Sequence, residues 1–303
     1  MKSAILISGE LRTFWFCADS IYNNIIKNNN ADVFMYLIPL KTGRRDHPNN
    51  TTKNNYFNSA GSYTSRHDEY YIDIDELSFI KEKFKDSVKD IVISNDYSDT
   101  DKLMERKMNI FNKKKQNTNY TSNYSSPQRF VIDQYVNLKK CLDLLKNYEE
   151  KNNFTYDFVF RIRPDNYIKD KINFSKINLN YDIYLQREPT IINKFSTPDN
   201  FFFGRRKYVE EIINMFNENY GEKLYPYDEY IKITNKCDAS NFNYLTELCF
   251  GYYIYLMKCK KYYFEPNIDW AMGEFIPTTD NTIAQKYNIE KVSCFFVVSK
   301  YND

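Results

Sequence analysis

Charged side chains follow an apolar segment at residues 156–166, which reads Tyr-Asp-Phe-Val-Phe-Arg-Ile-Arg-Pro-Asp-Asn. Side chains of a β-strand alternate between its two faces, so Arg161, Arg163 and Asp165 should share one face. Pro164 lacks an N–H group and should end the strand. Buried guanidinium and carboxylate groups are costly unless they are paired or bound. Because ligands of α/β proteins bind at the carboxyl ends of strands, we interpret this segment as a ligand site. An internal Arg–Asp ion pair is the alternative.

A second candidate site follows the apolar residues 4–7, where the chain reads Ser8-Gly9-Glu10-Leu11-Arg12-Thr13. Gly9 allows a tight turn and a close approach of the backbone to a ligand. A helix predicted directly afterwards would offer free N–H groups to an anion, and Arg12 would add a forked cation suited to phosphate. These features predict a nucleotide-diphosphate site. An ordinary βα turn with a surface arginine is the alternative.

The two sites should meet at one edge of a parallel sheet. Strands at 4–7 and 32–37 flank a helix at 14–26, and such a β-α-β unit predicts a parallel pair with a right-handed crossover. At that edge Arg161 and Arg163 could neutralise a diphosphate, and Asp165 could bind Mg²⁺ or Mn²⁺ through oxygen. The remaining predicted elements are a helix at 75–84, a strand at 88–94, an amphipathic helix at 128–150, strands at 181–186 and 200–203, helices at 208–216 and 244–258, and late strands at 262–265 and 294–299. Polar stretches at 41–70 and 97–126 are predicted to be insertions.

Composition excludes several classes of protein. The chain has 303 residues, of which 42% are hydrophobic, and a formal net charge of +2. Near neutrality argues against a nucleic-acid surface, and we interpret the basic run at 106–115 as part of a solvated insertion. The chain has only two His residues, which argues against a catalytic triad. Its seven Gly residues form neither GxGxxG nor GxxxxGK[ST], which argues against a dinucleotide fingerprint and a P-loop. The six Cys residues are scattered, which predicts reduced thiols and a cytoplasmic location. No apolar run reaches ~20 residues, so no transmembrane segment is predicted.

Three segments resemble a known family. Ala4-Ile5-Leu6-Ile7-Ser8-Gly9-Glu10-Leu11-Arg12-Thr13 resembles the opening ISGQLRT of a group of glycosyltransferases from bacteria and large DNA viruses. The helix around Gln134-Tyr135-Val136-Asn137-Leu138, followed by the Arg-Ile-Arg-Pro-Asp strand, looks like the second signature of that group. Asp199-Asn200-Phe201-Phe202-Phe203-Gly204 resembles a third. In order, and without the polar insertions, the resemblance covers about two-thirds of the chain.

The resemblance implies a fold and an activity. The fold would be GT-A-like: a Rossmann-type, mostly parallel sheet flanked by helices, with a mixed C-terminal half. Residues 1–303 would form a single domain, with a nucleotide-binding half at 1–170 and an acceptor-binding half at 171–303. The activity would be transfer of a sugar from a nucleotide-diphosphate sugar to a glycan acceptor. A non-catalytic nucleotide-sugar or glycan-binding protein on the same fold is the alternative, and turnover of donor distinguishes the two.

The resemblance also implies roles for individual residues. Those expected to bind the donor are Ser8, Gly9, Arg12, Gln134, Arg161 and Arg163. In GT-A enzymes an Asp-x-Asp motif at this place holds Mn²⁺ or Mg²⁺. Here Arg163 stands at the first Asp position and Asp165 alone remains as a metal ligand. This departure leaves metal dependence open, and the nearby arginines could replace part of the charge of the metal.

The reaction itself requires a carboxylate near the anomeric carbon. It acts as a base if configuration inverts, or as a stabiliser or nucleophile if configuration is retained. Asp199, before a short apolar strand, and Glu247, early in an apolar helix, are the catalytic candidates. A helix N-terminal charge is the alternative for Glu247. Asp269 and Glu274, around Trp270, are reserve candidates.

Overall fold

The computed structural model describes residues 1–11, 14–39, 75–94, 96–117, 129–168, 171–186, 189, 197–218, 246–263, 275–277, 291–293 and 295–297. The insertion predicted at 41–70 lies outside the described residues. The reserve candidates Asp269, Trp270 and Glu274 lie outside them as well.

The described strands form one large sheet and two small ones. In chain order they are β1 (Ser3–Glu10), β2 (Asp32–Ile38), β3 (Val88–Ile93), β4 (Phe158–Ile162), β5 (Asn166–Ile168), β6 (Ile183–Leu185), β7 (Phe201–Arg205), β8 (Lys261–Tyr263), β9 (Phe275–Pro277), β10 (Lys291–Ser293) and β11 (Phe295–Val297). The large sheet has the order β3-β2-β1-β4-β7-β6-β8. Within it β7 is antiparallel to both neighbours, and the other described pairs are parallel. Strands β9 and β10 pair antiparallel, and β5 pairs with β11 in parallel.

Helices connect these strands. They are α1 (Phe14–Ile21, extended by a π-helical turn at Tyr22–Ile26 and a last turn at Lys27–Asn29), α2 (Glu76–Phe84), α3 (Ser98–Asn117), α4 (Arg129–Asn152), α5 (Arg206–Glu218) and α6 (Thr246–Leu256). Asp75 caps α2, because its side chain accepts a hydrogen bond of 3.1 Å from the Ser78 N–H. Among the described residues, no helix is both long enough and apolar enough to cross a membrane.

The sheet is covered by helices on both faces. On one face Ile5, Ile7 and Phe160 share a core cluster with Phe14 of α1 and Phe84 of α2. The other face carries a second cluster, whose strand members Leu6, Val159 and Phe202 share it with residues of α4, α5 and α6, among them Leu142, Ile212 and Ile254. Strands buried on both faces read as continuous apolar runs, which explains the sequences of β1 and β2. The predicted fold class is confirmed in the described residues: a Rossmann-type, mostly parallel sheet lies between helices, with mixed strand directions in the C-terminal half.

The alternation predicted for the Arg-containing strand is also confirmed. Phe158, Phe160 and Ile162 belong to the cluster beside α1 and α2, and Val159 belongs to the cluster beside α4. The large sheet draws strands from both predicted halves of the chain, since β1 to β4 precede residue 171 and β6 to β8 follow it. The division into a nucleotide-binding and an acceptor-binding half stays a prediction.

Helix α3 is a correction to the sequence analysis. The stretch 97–126 was predicted to be a polar insertion, but Ser98–Asn117 forms a helix. The helix was not predicted because this segment is rich in Lys, Asn, Asp and Glu, so its few apolar residues did not stand out. Acidic residues in its first turn suit the helix dipole, and the Asp99 carboxylate lies 3.2 Å from Nζ of Lys140 on α4.

An ion network joins α4 to the start of α5 at the edge of the sheet where β4 begins. The Arg206 guanidinium donates to both carboxylate oxygens of Glu149 at 3.1 Å and to Glu210 at 2.7 Å. Glu149 also accepts from the backbone N–H of Tyr156 at 2.9 Å, and Lys146 donates to Glu210 at 2.9 Å. Each of these charges faces an opposite charge, so the network can fasten the helices without a ligand.

Gly204 in β7 lies against the backbone of β6. A Cβ atom added there would come within 2.9 Å of Ile183 Cα, and closer still to the carbonyl oxygen of Asp182. We therefore expect Gly204→Ala to destabilise the protein by about 2–4 kcal/mol, because backbone atoms of a paired strand cannot move aside cheaply. Urea unfolding measures this difference. An unchanged unfolding midpoint would contradict the close pairing of β6 with β7.

Candidate active site

The two predicted motifs meet at the carboxyl edge of the sheet. Strands β1 and β4 are parallel neighbours, with Ile7 opposite Ile162. Gly9, just beyond, has a φ of 130°, a conformation that favours glycine. A Cβ atom on Gly9 would lie 3.5 Å from Pro164 Cδ. The carboxyl end of β1 therefore packs against the turn after β4. A turn was predicted at Ser8 and Gly9, but β1 continues to Glu10, and Gly9 pairs with Leu37.

Arg163 and Asp165 pair with each other across Pro164. The Arg163 guanidinium donates from Nε to Asp165 Oδ1 at 2.9 Å and from Nη2 to Oδ2 at 2.8 Å. The Asp165 side chain is 5% exposed and that of Arg163 is 18% exposed. Such bidentate pairs are strong and fix the plane of both groups. The internal ion pair considered as an alternative is thus present, and it leaves one face of Arg163 partly open.

Arg161 is the most deeply buried charge described. It is 0% exposed, and its Nη1 donates to the carbonyl oxygen of Asn200 at 2.9 Å. Its Nε and Nη2 atoms are buried and make no hydrogen bond. Burial lowers the pKa of Arg161 to about 10, with the field of Asp199 acting in the opposite direction. The group therefore stays cationic at neutral pH, with two donors that nothing in the described residues satisfies.

The carbonyl oxygen of Asn200 is the centre of the hydrogen bonds at this edge. It accepts from Arg161 Nη1 at 2.9 Å, from Asn166 Nδ2 at 3.0 Å and from the Arg163 backbone N–H at 3.2 Å. The residues come from the end of β4, the start of β5 and the segment before β7. One oxygen thus fixes the position of three chain segments relative to one another.

Asp199 is a buried carboxylate held from helix α4. Its Oδ2 accepts from the Tyr135 hydroxyl at 2.8 Å and from the Gln134 side-chain amide. Asp199 is 5% exposed, and it contributes to the electrostatic environment of Arg161. Both hydrogen bonds converge on one oxygen, so helix α4 sets the orientation of this carboxylate.

The described side chains do not fit a protein-held Mn²⁺ or Mg²⁺. Both oxygens of Asp165 accept from Arg163, and no group of three or more His, Cys, Asp or Glu in the described part of the chain could hold a metal ion. A divalent cation prefers several oxygen ligands. At Asp165 it would share the carboxylate with the Arg163 guanidinium and meet the positive charge of that group. Metal binding at Asp165 stays a prediction.

The structure brings together most of the predicted site residues. Ser8, Gly9, Arg161, Arg163, Asp165 and Asp199 lie at the carboxyl edge of the sheet, and Gln134 reaches it from α4. Arg12 lies outside the described residues, as does the side chain of Glu247, whose backbone belongs to α6. Their predicted roles stay predictions.

Sequence reasoning missed four polar residues of this edge: Tyr135, Asn166, Gln186 and Asn200. Tyr135 stands in the second family signature, but no role was assigned to its hydroxyl, which reaches Asp199. Asn166 and Asn200 directly follow Asp165 and Asp199 and lie in quoted segments, but nothing in the sequence indicated a role for them.

Comparison with known proteins finds one family model that matches part of the chain and a solved structure with a low TM-score. A family model described as a domain of unknown function (DUF7796) matches residues 95–188, which include α4, β4 and the Arg163–Asp165 pair. No curated protein matches the chain in sequence. The solved structure of mouse xyloside xylosyltransferase 1, in its apo form, is similar over 82% of this chain and 83% of that chain, with a TM-score of 0.35 and 9% sequence identity.

Proposed function

We propose that this protein is a GT-A-type glycosyltransferase that uses a nucleotide-diphosphate sugar. The observation that carries the proposal is Arg161: a fully buried cation at the carboxyl edge of a mostly parallel sheet, with two donor atoms that nothing in the described part of the chain satisfies. Buried donors without acceptors are costly, and functional sites are where such costs are retained. An anion with several acceptor oxygens, such as a diphosphate, would satisfy both donors. The resemblance of the three motifs to a glycosyltransferase family supports the same class.

In this proposal Arg161 and Arg163 bind the diphosphate, and Ser8 and Gly9 approach it from the carboxyl end of β1. During transfer the bond between the anomeric carbon and the phosphate oxygen breaks, and its electron pair goes to the diphosphate. The two arginines stabilise the charge that develops there, as oriented cations do in phosphoryl chemistry. The resemblance assigns Arg12 to the same group.

Asp199 is the proposed catalytic carboxylate. Gln134 and Tyr135 hold its Oδ2, so Oδ1 is the oxygen offered to the reactants. If configuration inverts, Asp199 accepts the proton of the acceptor hydroxyl as that oxygen bonds to the anomeric carbon. If configuration is retained, Asp199 stabilises or bonds the anomeric carbon on the opposite face. Glu247 remains the second candidate for this role.

A thermal-shift screen tests the proposal directly. The protein is melted with UDP-, GDP- and dTDP-sugars and, as a comparison that carries a single phosphate, with a CMP-sugar, each with and without Mn²⁺. A ligand that binds only the folded state raises the melting temperature. We expect one nucleotide to give a selective shift, and hydrolysis or transfer of that donor to follow. If no donor shifts the melting temperature, the diphosphate site is refuted, and Arg161 would be a structural cation.

A non-catalytic nucleotide-sugar or glycan-binding protein is the second candidate. The observation that favours it is the engagement of both Asp165 oxygens by Arg163, which removes the expected metal ligand. Such a protein would give the same thermal shift but would not turn the donor over. Release of free nucleotide diphosphate in the presence of acceptor glycans separates the two.

The Arg163–Asp165 pair leads to a prediction about metal removal. Arg163 donates to both oxygens of Asp165, so we expect transfer not to depend on a metal ion at this carboxylate. EDTA should therefore reduce the transfer rate by less than about twofold. In contrast, Asp165→Asn should reduce it about tenfold or more, since it releases the guanidinium plane that the pair fixes. Initial rates with and without EDTA measure both effects. A complete loss of transfer in EDTA, restored by Mn²⁺, would contradict this expectation and show that transfer depends on a metal ion.

A further inference from the structure

One edge of the Arg161 guanidinium has no acceptor in the described part of the chain. In an arginine side chain Nε and Nη2 lie on the same edge, and their N–H bonds point in nearly the same direction. Both atoms of Arg161 are buried and make no hydrogen bond to any described residue, whereas Nη1, outside this edge, donates to the Asn200 carbonyl at 2.9 Å. The two unsatisfied donors therefore form a single fork rather than two separate sites.

Arg163 shows which kind of group fits such a fork. The same two atoms of Arg163 donate to the two oxygens of Asp165 at 2.9 and 2.8 Å. The guanidinium fork matches carboxylate and phosphate alike, so a phosphate group with two oxygens can take the same place on Arg161. The Nε–Nη2 edge of Arg163 is thus filled within the protein, whereas that of Arg161 can accept a ligand.

The two arginines also differ in depth. Alternate residues of a strand lie about 6.6 Å apart, so Arg161 begins that much farther from the carboxyl edge of the sheet than Arg163. Arg161 is 0% exposed, and the side chain of Arg163 is 18% exposed. Asp199, the proposed catalytic carboxylate, directly precedes the residue whose carbonyl holds the Arg161 guanidinium, and its charge acts on Arg161. Because that carboxylate must lie beside the anomeric carbon, the phosphate beside Arg161 is the one that bears the sugar.

We propose that the Nε–Nη2 edge of Arg161 holds both non-bridging oxygens of the phosphate that bears the sugar, and that this contact selects nucleoside diphosphates over nucleoside monophosphates. The inference rests on the proposed function and deepens it. In a nucleoside-diphosphate sugar this phosphate has two non-bridging oxygens, which matches the two donors of the fork. A nucleoside monophosphate bound with its nucleoside in the same place would reach Arg163 but not Arg161. Sugars carried on a single phosphate should therefore be poor donors.

The same substitution at two positions tests the inference. Arg161→Lys and Arg163→Lys each keep a cation and remove a guanidinium fork. Isothermal titration would compare UMP with UDP, GMP with GDP and dTMP with dTDP, in EDTA so that no metal ion bridges the phosphates. We expect Arg161→Lys to weaken binding of the diphosphate about tenfold and of the monophosphate by less than about twofold. Arg163→Lys should weaken both by a similar factor, so that the ratio of the two affinities changes by less than about twofold.

Arg161→Met provides a second variant should the buried lysine prevent folding, which melting curves would reveal. It should weaken the diphosphate at least about a hundredfold and the monophosphate much less. The inference is overturned if the wild type binds mono- and diphosphates equally, or if the Arg161 variants weaken both equally or neither. It is also overturned if Arg163→Lys changes the ratio as much as Arg161→Lys does. If the wild type binds none of the six nucleotides, the proposed function fails as well.

Discussion

Replacing Arg161 by methionine is expected to weaken donor binding at least about a hundredfold while changing the melting temperature of the free protein little, because relief from burying the cation offsets the loss of its attraction to Asp199. Methionine fills a similar volume and removes a buried cation whose Nε and Nη2 make no hydrogen bond to any described residue. The remaining donors to the Asn200 carbonyl, Asn166 Nδ2 and the Arg163 N–H, stay in place. Titration calorimetry with the donor and thermal melting of the free protein measure the two halves of this prediction. A variant that melts far below the wild type would instead make Arg161 a structural cation.

Two control variants separate the effect of the charge of Arg161 from the effect of its position. Arg161→Lys keeps the charge but loses the fork, so we expect binding between those of the wild type and Arg161→Met. Arg205→Met removes an exposed arginine from the far end of β7, where it lies 3.5 Å from Asp182, and should leave donor affinity unchanged.

The difference in stability between wild type and Arg161→Met should also be constant from pH 6 to pH 9, a window set by the lowered pKa of Arg161, about 10. The folded state holds this proton less tightly than the unfolded chain. The cost of burying the charge is therefore fully present below pH 10, and it decreases as the pH rises through that value.

Replacing Asp199 by asparagine is expected to reduce transfer about a thousandfold or more while changing donor affinity only a few-fold. The amide can still accept from Tyr135, but it can neither take a proton nor stabilise positive charge at the anomeric carbon. Because Arg161 loses the carboxylate that opposes its charge, the variant should also melt at a lower temperature. Single-turnover rates at saturating donor, together with melting curves, test this.

Two comparisons sharpen the Asp199 prediction. Asp157→Asn changes a carboxylate just before β4, where it accepts from the Lys2 N–H at 2.7 Å, and should leave transfer intact. The double variant Arg161→Met with Asp199→Asn should be more stable than Asp199→Asn alone, since the uncompensated cation is gone. Full transfer activity in Asp199→Asn would contradict a catalytic role for Asp199 and would leave Glu247 as the candidate.

The sequence predicted the elements whose patterns are strong. Unbroken apolar runs predicted β1, β2 and the buried part of β4, and the apolar stripe of α4 predicted that helix, because burial on one or two faces leaves a clear period. Helix α3 was missed because its Lys- and Asn-rich composition resembles that of a solvated loop and outweighed its few apolar residues.

The charged residues of the candidate site could be predicted from the sequence, but its neutral polar residues could not. Arg161, Arg163 and Asp165 stand out because a charge in an apolar strand is rare. Asn166 and Gln186 do not, since Asn is plentiful throughout this chain and a single Gln after a strand has no period. Whether Arg163 would face a ligand or Asp165 depended on the turn at Pro164, which only three-dimensional geometry determines.

The Asn200 carbonyl also bears on how this edge of the molecule moves. Side chains 39 and 34 residues away in sequence, Arg161 and Asn166, bond to the same oxygen. Local opening of any one segment would break bonds of the other two, so the three should open and close as one cooperative unit rather than as independent loops. A ligand that binds Arg161 should therefore also reduce the local opening of β5 and of its partner β11, although it need not contact either strand.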